Sequence, residues 1–200
     1  MSDSANERDG LRDARRRETR RRIVDAALRL TAEHGFDGFT IDELAVAAGI
    51  SRRTFFNYFP AKEDALFGGP DTPSDRLQQR FVAGKPSGRL MDDLVTLFRD
   101  STPTRNIDPA QIRLFRKVME TEHNLIPMFR KRFADGADKL IELICERESL
   151  DHPTPRAQMA VDILGSLIGR TFQQFAADDN TADFDDLLTE NLRETSALLA

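Results

Sequence analysis

Cysteine is nearly missing from this chain: Cys145 stands alone among 200 residues, so no internal disulfide can form. It lies on an apolar helical pattern with Leu140, Ile141, Leu143 and Ile144 and reads as an ordinary buried residue, with redox sensing as the alternative. Long apolar runs are missing too. None approaches the roughly 18 residues of a membrane-spanning helix. The N-terminal stretch MSDSANERDGLRDARRR has charge but lacks the apolar segment of a secretory signal. The chain therefore reads as cytoplasmic, with no membrane partner. No alternating β-branched run or hairpin signal occurs, which argues against a sheet. A G-x-S-x-G elbow and a Gly-rich phosphate loop are likewise absent. His34, His123 and His152 fall at unrelated spacings without the Cys or carboxylate companions of a closed metal site. Acidic pairs such as Asp92-Asp93 and Asp185-Asp186 read as solvated helix surface. These absences point away from catalysis, and neither a metal nor a cofactor is expected.

What is present is apolar periodicity of helical type and a charge distribution with two signs. The composition, 40% hydrophobic and 32% charged, suits one large core or two small ones. The net charge of −5 hides a local excess of the other sign: through Lys62 there are 12 Lys and Arg against 10 Asp and Glu, and beyond it 17 against 24. Arg15, Arg16, Arg17, Arg20, Arg21 and Arg22 are concentrated where a helix would begin. Such a cluster can neutralise phosphates whatever the overall isoelectric point. Its alternative is a solvated, frayed helix end.

The densest information lies in GFDGFTIDELAVAAGISRRTFFNYFPAKEDAL, Gly35 to Leu66. Thr40 and Glu43 form the T-x-x-E pattern of a capping box. Ile41, Leu44, Ala45 and Ala48 then share one helical face. Gly49 follows the last periodic residue, where a left-handed backbone stops the helix without a Cβ penalty. Ser51 can cap a second helix, Arg52 to Phe59, which Pro60 ends. In it Phe55 and Phe59 should face inward. Arg52, Arg53, Thr54, Phe56, Asn57 and Tyr58 are then left for the outer sides, and such side chains read guanine, adenine and thymine edges or grip the backbone. This is the pattern of a helix-turn-helix. The bland alternative, a solvated helix face, is opposed by the capped partner helix and the Gly turn that precede it.

The rest of the chain is expected to be helical. Residues 1–12 are polar and aperiodic and read as a disordered arm; 13–67 form the DNA-binding domain; 68–200 form a helical bundle. A first helix from Asp13 to His34 buries Ile23, Ala26, Ala27, Leu30 and Thr31, with Phe36 and Phe39 closing the three-helix core. Gly68, Gly69 and Pro70 mark a hinge. Further helices are expected over Ser74–Val82, Ser87–Asp100, Pro109–His123, Leu125–Glu148, Thr154–Ala177 and Asp183 onward. The fold class is all-α.

With these residues in view, the stretch from about 18 to 67 resembles the TetR family of transcriptional repressors. The resemblance implies a homodimer whose two reading helices enter successive major grooves of a pseudo-palindromic, double-stranded operator, and a variable C-terminal domain whose small-molecule effector changes their spacing. By position it implies base and phosphate contacts at Arg52, Arg53, Thr54, Phe56, Asn57, Tyr58 and Lys62, with Thr40 at a phosphate. Arg17, Arg20 and Arg21 of the basic cluster are added as contacts to phosphate or the adjacent minor groove. The family usually carries Tyr at the position of Phe56, so the hydroxyl donor is missing here, and Tyr58 stands where His is common. The run SRRTFFNYFPAKEDALF is also similar to regulators associated with mycofactocin gene clusters, which respond to acyl-CoA.

Phe81, Phe98, Phe115, Met119, Met128, Phe129, Phe133 and Phe172, with His123, Arg170 and Gln173 as polar fixers, are candidates to line an effector cavity for a hydrophobic or acyl-CoA-like molecule. Plain core is the alternative for each. Gly165, Ser166 and Gly169 put small residues on one helical face and, with Phe184, Leu188 and Leu192 of the last helix, are the candidate dimer interface. Close packing inside one chain is the alternative. As a whole the chain reads as a ligand-released repressor, against a helical ligand-binding or protein-interaction module with incidental DNA affinity.

Overall fold

The computed structural model describes the backbone of residues 3–68, 73–102 and 108–198, and the side chains of these segments from Arg15 onward. Every regular element among them is helical. In chain order they are α1 (Asp3–His34), a 3-10 turn (Phe36–Gly38), α2 (Ile41–Ala47), α3 (Arg52–Phe56), α4 (Lys62–Leu66), α5 (Asp75–Val82), α6 (Leu90–Ser101), α7 (Pro109–Thr121), α8 (Leu125–Glu148), α9 (Pro155–Phe175) and α10 (Phe184–Leu198). No helix among the described residues is long and apolar enough to cross a membrane. Of the expected hinge, Gly69 and Pro70 lie outside the described residues.

Local differences from expectation have local causes. The backbone over residues 3–12, read as a disordered arm, is helical from Asp3 and continuous with the rest of α1. Ala5, Glu7, Arg8, Leu11 and Arg12 favour the helix, and Asp, Ser, Asn and Gly make up the other half of the stretch. α6 begins at Leu90 rather than Ser87, because the Asp93 carboxylate accepts the Ser87 N–H at 2.8 Å and the Gly88 N–H at 3.2 Å and holds that stretch as a looped cap. Asp93 itself, read as solvated, is 0% exposed. It faces Arg147 Nη2 at 2.7 Å, and Arg147 also donates to the Phe81 carbonyl at 2.9 Å. Cys145 is half-buried.

Two compact units emerge: Met1–Gly69 with Leu114–Phe129, and Pro70–Arg113 with Arg130–Ala200. The first is built on two apolar clusters. Ile23, Ala26, Ala27, Phe39, Leu44, Ala48, Phe55, Phe59 and Ala65 close the three-helix core. Leu28, Phe36 and Leu66 pack with Val118 and Leu125, so the end of α7 and the start of α8 complete this unit. The second unit buries Phe81, Leu94, Leu97, Ile144, Leu164, Leu167, Phe184 and Leu188.

Candidate nucleic-acid interface

Three local motifs set the pose of α2 and α3. Thr40 Oγ1 accepts the Glu43 N–H at 3.2 Å while the Glu43 carboxylate accepts the Thr40 N–H at 2.7 Å, a reciprocal capping box. The backbone N–H and then the hydroxyl of Thr40 hold the Glu43 carboxyl below its ordinary range. At the other end of α2, Ile50 N–H reaches the Ala45 carbonyl at 2.9 Å and Gly49 N–H reaches that of Val46 at 3.0 Å. This is the Schellman arrangement, and it needs the left-handed φ of 65° at Gly49. Ser51 Oγ then accepts the Thr54 N–H at 3.1 Å and opens α3.

α3 is shorter than the expected Arg52–Phe59. It ends at Phe56 with Asn57 as cap, and Tyr58 and Phe59 follow in a turn whose N–H groups both bond the Phe55 carbonyl. Pro60 has no N–H with which to continue the ladder. Phe55 and Phe59 are buried and pin α3 to the core, as their spacing requires. Arg52, Arg53, Phe56 and Asn57 are exposed, with Thr54 and Tyr58 half-buried beside them. Phe56, 45% exposed, is a large apolar ring kept in solvent. Its neighbour Arg52 donates to Asp42 of α2 at 2.7 Å.

Two expected contact residues are occupied otherwise. Lys62 turns inward: its ammonium donates to the carbonyls of Phe36 at 2.6 Å and Phe39 at 2.8 Å and lies 4.5 Å and 4.4 Å from their ring centres. Arg20 donates to the carbonyls of Tyr58 at 3.3 Å and Gly68 at 2.9 Å, and its guanidinium lies 4.3 Å from the centre of the Phe59 ring. Both cations brace the unit. Arg17 is exposed, and Arg21, also exposed, pairs with Glu18 at 3.0 Å. Thr40 is exposed at the start of α2. No spacing rule reveals the Asp42–Arg52 pair or the bracing roles, since each joins segments separated by a turn or by a whole helix.

The candidate effector residues divide between the units. Phe115, Met119 and Met128 pack in the first, where the Phe115 and Phe129 rings lie 5.8 Å apart; His123, of the same unit, is exposed. Phe81 is core of the second, with Phe98 and Phe172 packed against it. Phe133 is 53% exposed, and Arg170 and Gln173 are exposed. A groove of about 480 Å³ in the second unit is lined by other residues, among them Met91, Met159 and Ile163.

The candidate dimer residues divide as well. Phe184 and Leu188, expected on a face between subunits, are buried in their own chain; Phe184 meets the ring of Phe172 at 4.9 Å, and Leu192 packs on the same cluster. α10 is amphipathic, and α9 supplies the apolar partner its stripe needs. A Cβ on Gly165 would meet the tip of the Phe133 ring at 2.8 Å, so that glycine admits an intrachain aromatic. Ser166 and Gly169 are exposed, and nothing lies within 4 Å of a Cβ built on Gly169.

A short reading helix pinned by two phenylalanines, preceded by a capped helix and a Gly turn, and exposing Arg, Asn and an aromatic, defines a helix-turn-helix DNA-binding protein. Residues 23–67 match the family described as bacterial regulatory proteins, tetR family. Over 64 residues the chain is 42% identical to the putative mycofactocin biosynthesis transcriptional regulator MftR of Mycobacterium tuberculosis, covering 32% of each protein. It is 25% identical over 153 residues to the transcriptional regulator TcmR of Streptomyces glaucescens, covering 71% of this chain and 66% of that one. To the transcriptional repressor AcnR of Corynebacterium diphtheriae it is 24% identical over 185 residues, covering 88% and 92%. Residues 23–67 thus carry a helix-turn-helix domain of the TetR type, and the chain is similar to transcriptional regulators that share it.

Proposed function

We propose that this protein is a homodimeric repressor whose two copies of α3 read half-sites of a pseudo-palindromic operator, and which a small, largely apolar effector releases. The observation that carries the reading is the exposed quartet of Arg52, Arg53 and Phe56 on α3 and Asn57 at its cap, with Phe55 on the opposite side wholly buried. Such a helix has its pose set by the core and its chemistry free for base edges. Release is a population shift, so the effector must bind the conformation unfit for two successive grooves more tightly than the DNA-bound one. An amphipathic anion of the acyl-CoA type suits the groove of the second unit, whose lining combines Leu90, Met91, Met159 and Ile163 with Arg89 and Arg156. The pair Arg89–Asp92 occupies one of these cations, and Arg156 is exposed.

The test is affinity for the DNA upstream of its own gene against scrambled duplex. A repressor shows a preference of roughly 10³-fold or better. Arg53→Ala should weaken the preferred duplex by about 1 to 3 kcal/mol and relax choice at one base pair. Equal affinity of the wild-type chain for both duplexes overturns the reading. Fatty acyl-CoAs that fail to raise the melting temperature or to dissociate the complex remove the effector class.

A further inference from the structure

The surface that carries the reading side chains also carries an acid. Asp42 stands in the first turn of α2, and its Oδ2 accepts an N–H from Arg52 Nη1 at 2.7 Å. The Arg52 guanidinium carbon lies 5.5 Å from the centre of the Phe56 ring, and that ring stands edge-on to the buried Phe55 at 5.4 Å and 83°. Arg52 is therefore held from two sides, by a carboxylate on α2 and by a ring seated on the core.

Stability does not account for this acid. The two side chains are 55% and 63% exposed, and exposed single ion pairs contribute little to folding. Toward DNA the carboxylate is a liability, because negative charge beside the exposed arginines of α3 opposes the approach of phosphate. Orientation does account for it. An untethered arginine turns to the nearest phosphate, a contact without sequence information, whereas guanine recognition needs the guanidinium fork in one orientation. Tying one N–H to Asp42 and resting the plane near Phe56 fixes that orientation before DNA arrives, which lowers the ordering cost of the contact.

We propose that Asp42 is a positioning residue for sequence reading: it holds Arg52 toward a base edge and repels the phosphate that Arg52 would otherwise grip. This rests on α3 being the base-contacting helix. Randomised duplex DNA is the probe, and the full-length wild type, Asp42→Asn, Asp42→Glu and Arg52→Ala are carried through the same selection. Affinities for the selected duplex and a scrambled one are then measured against salt. Asp42→Asn is expected to bind scrambled duplex at least as tightly as wild type, with a salt slope steeper by about 0.9 for one added phosphate contact. It should lose about ten-fold preference at one base pair, the same pair at which Arg52→Ala loses preference. Asp42→Glu, which keeps the carboxylate, should retain it. Unchanged preference in Asp42→Asn overturns the proposal, as does a loss at a different base pair from that of Arg52→Ala. A wild-type chain that enriches no sequence fails at the earlier step, the reading of α3 itself, and takes this inference with it.

Discussion

The ammonium of Lys62 donates to the carbonyl oxygen of Phe36 at 2.6 Å, joining the start of α4 to the turn that leads into α2. A second carbonyl, that of Phe39, and the faces of both rings complete its surroundings. Lys62→Ala should therefore act on folding: hydrogen bonds from a charged donor are worth about 1.5 to 3 kcal/mol each, less where water reaches them. We expect a loss of about 2 kcal/mol in urea unfolding of the DNA-binding unit. At temperatures where the variant stays folded, its salt slope on DNA should equal that of wild type. A slope lowered by about one would return Lys62 to the phosphates.

The buried pair Asp93–Arg147 predicts a pH effect. Burial pushes the Asp93 carboxyl up, but the N–H and hydroxyl of Ser87 together with Arg147 outweigh it, and the group titrates below its ordinary range. A carboxyl lowered in the folded state stabilises above its unfolded pKa, about 3.9, and that stability is lost as pH falls through the folded value. Arg147→Met should cost about 3 to 5 kcal/mol at neutral pH by leaving a buried carboxylate unpaired. The deficit should shrink toward pH 4, where the unpaired Asp93 takes up a proton, and Asp93→Asn in the same chain should recover part of it. A deficit independent of pH, measured by urea titration, would show that Asp93 is not the group exposed by the substitution.

How much of this was legible in the sequence follows from the range of each interaction. The cap at Thr40, the stop at Gly49, the cap at Ser51 and the inward Phe55 and Phe59 are set by residues within a few positions of one another, and all stand as their spacing implies. The fates of Arg20 and Lys62 were not legible, because their partners are backbone carbonyls reached across folded segments, and carbonyls leave no trace in composition. Nor was the inclusion of Leu114–Phe129 in the first unit, where Val118 and Leu125 fill space under Leu28 and Glu122 accepts the Phe36 N–H at 3.3 Å. Periodicity told that Phe184 and Leu188 must be covered. It could not tell that α9 of the same chain covers them.

That correction moves the test of dimerisation to Gly169. A Cβ on Gly165 would meet the Phe133 ring, whereas a Cβ on Gly169 meets nothing within 4 Å. Gly169→Leu should thus leave the monomer intact, and even favour α9 by about 0.5 to 1 kcal/mol in helix propensity. If the exposed face bearing Ser166 and Gly169 packs on a second copy, the added side chain holds the two helices apart. The expected outcome in light scattering is a shift from dimer toward monomer with unchanged helicity. A dimer of wild-type strength places the interface elsewhere.

The last prediction concerns the basic end of α1. Arg15, Arg16 and Arg17 are exposed, and the Arg16 guanidinium lies 6.0 Å from the Tyr58 ring centre, which brings this turn of α1 beside the end of the reading segment. Removing residues 1–17 takes away these three arginines together with Arg8 and Arg12 and leaves Arg20 on its two carbonyls, so the core of the domain should keep its stability. Each phosphate that the truncated chain no longer neutralises should lower the slope of log affinity against log salt by about 0.9, and the weakening should be alike on preferred and scrambled duplexes because phosphates carry no sequence. A truncated chain with the wild-type slope would mean that this arm does not touch the DNA backbone. A weakening confined to the preferred duplex would instead mean that one of its arginines enters the minor groove and reads width there.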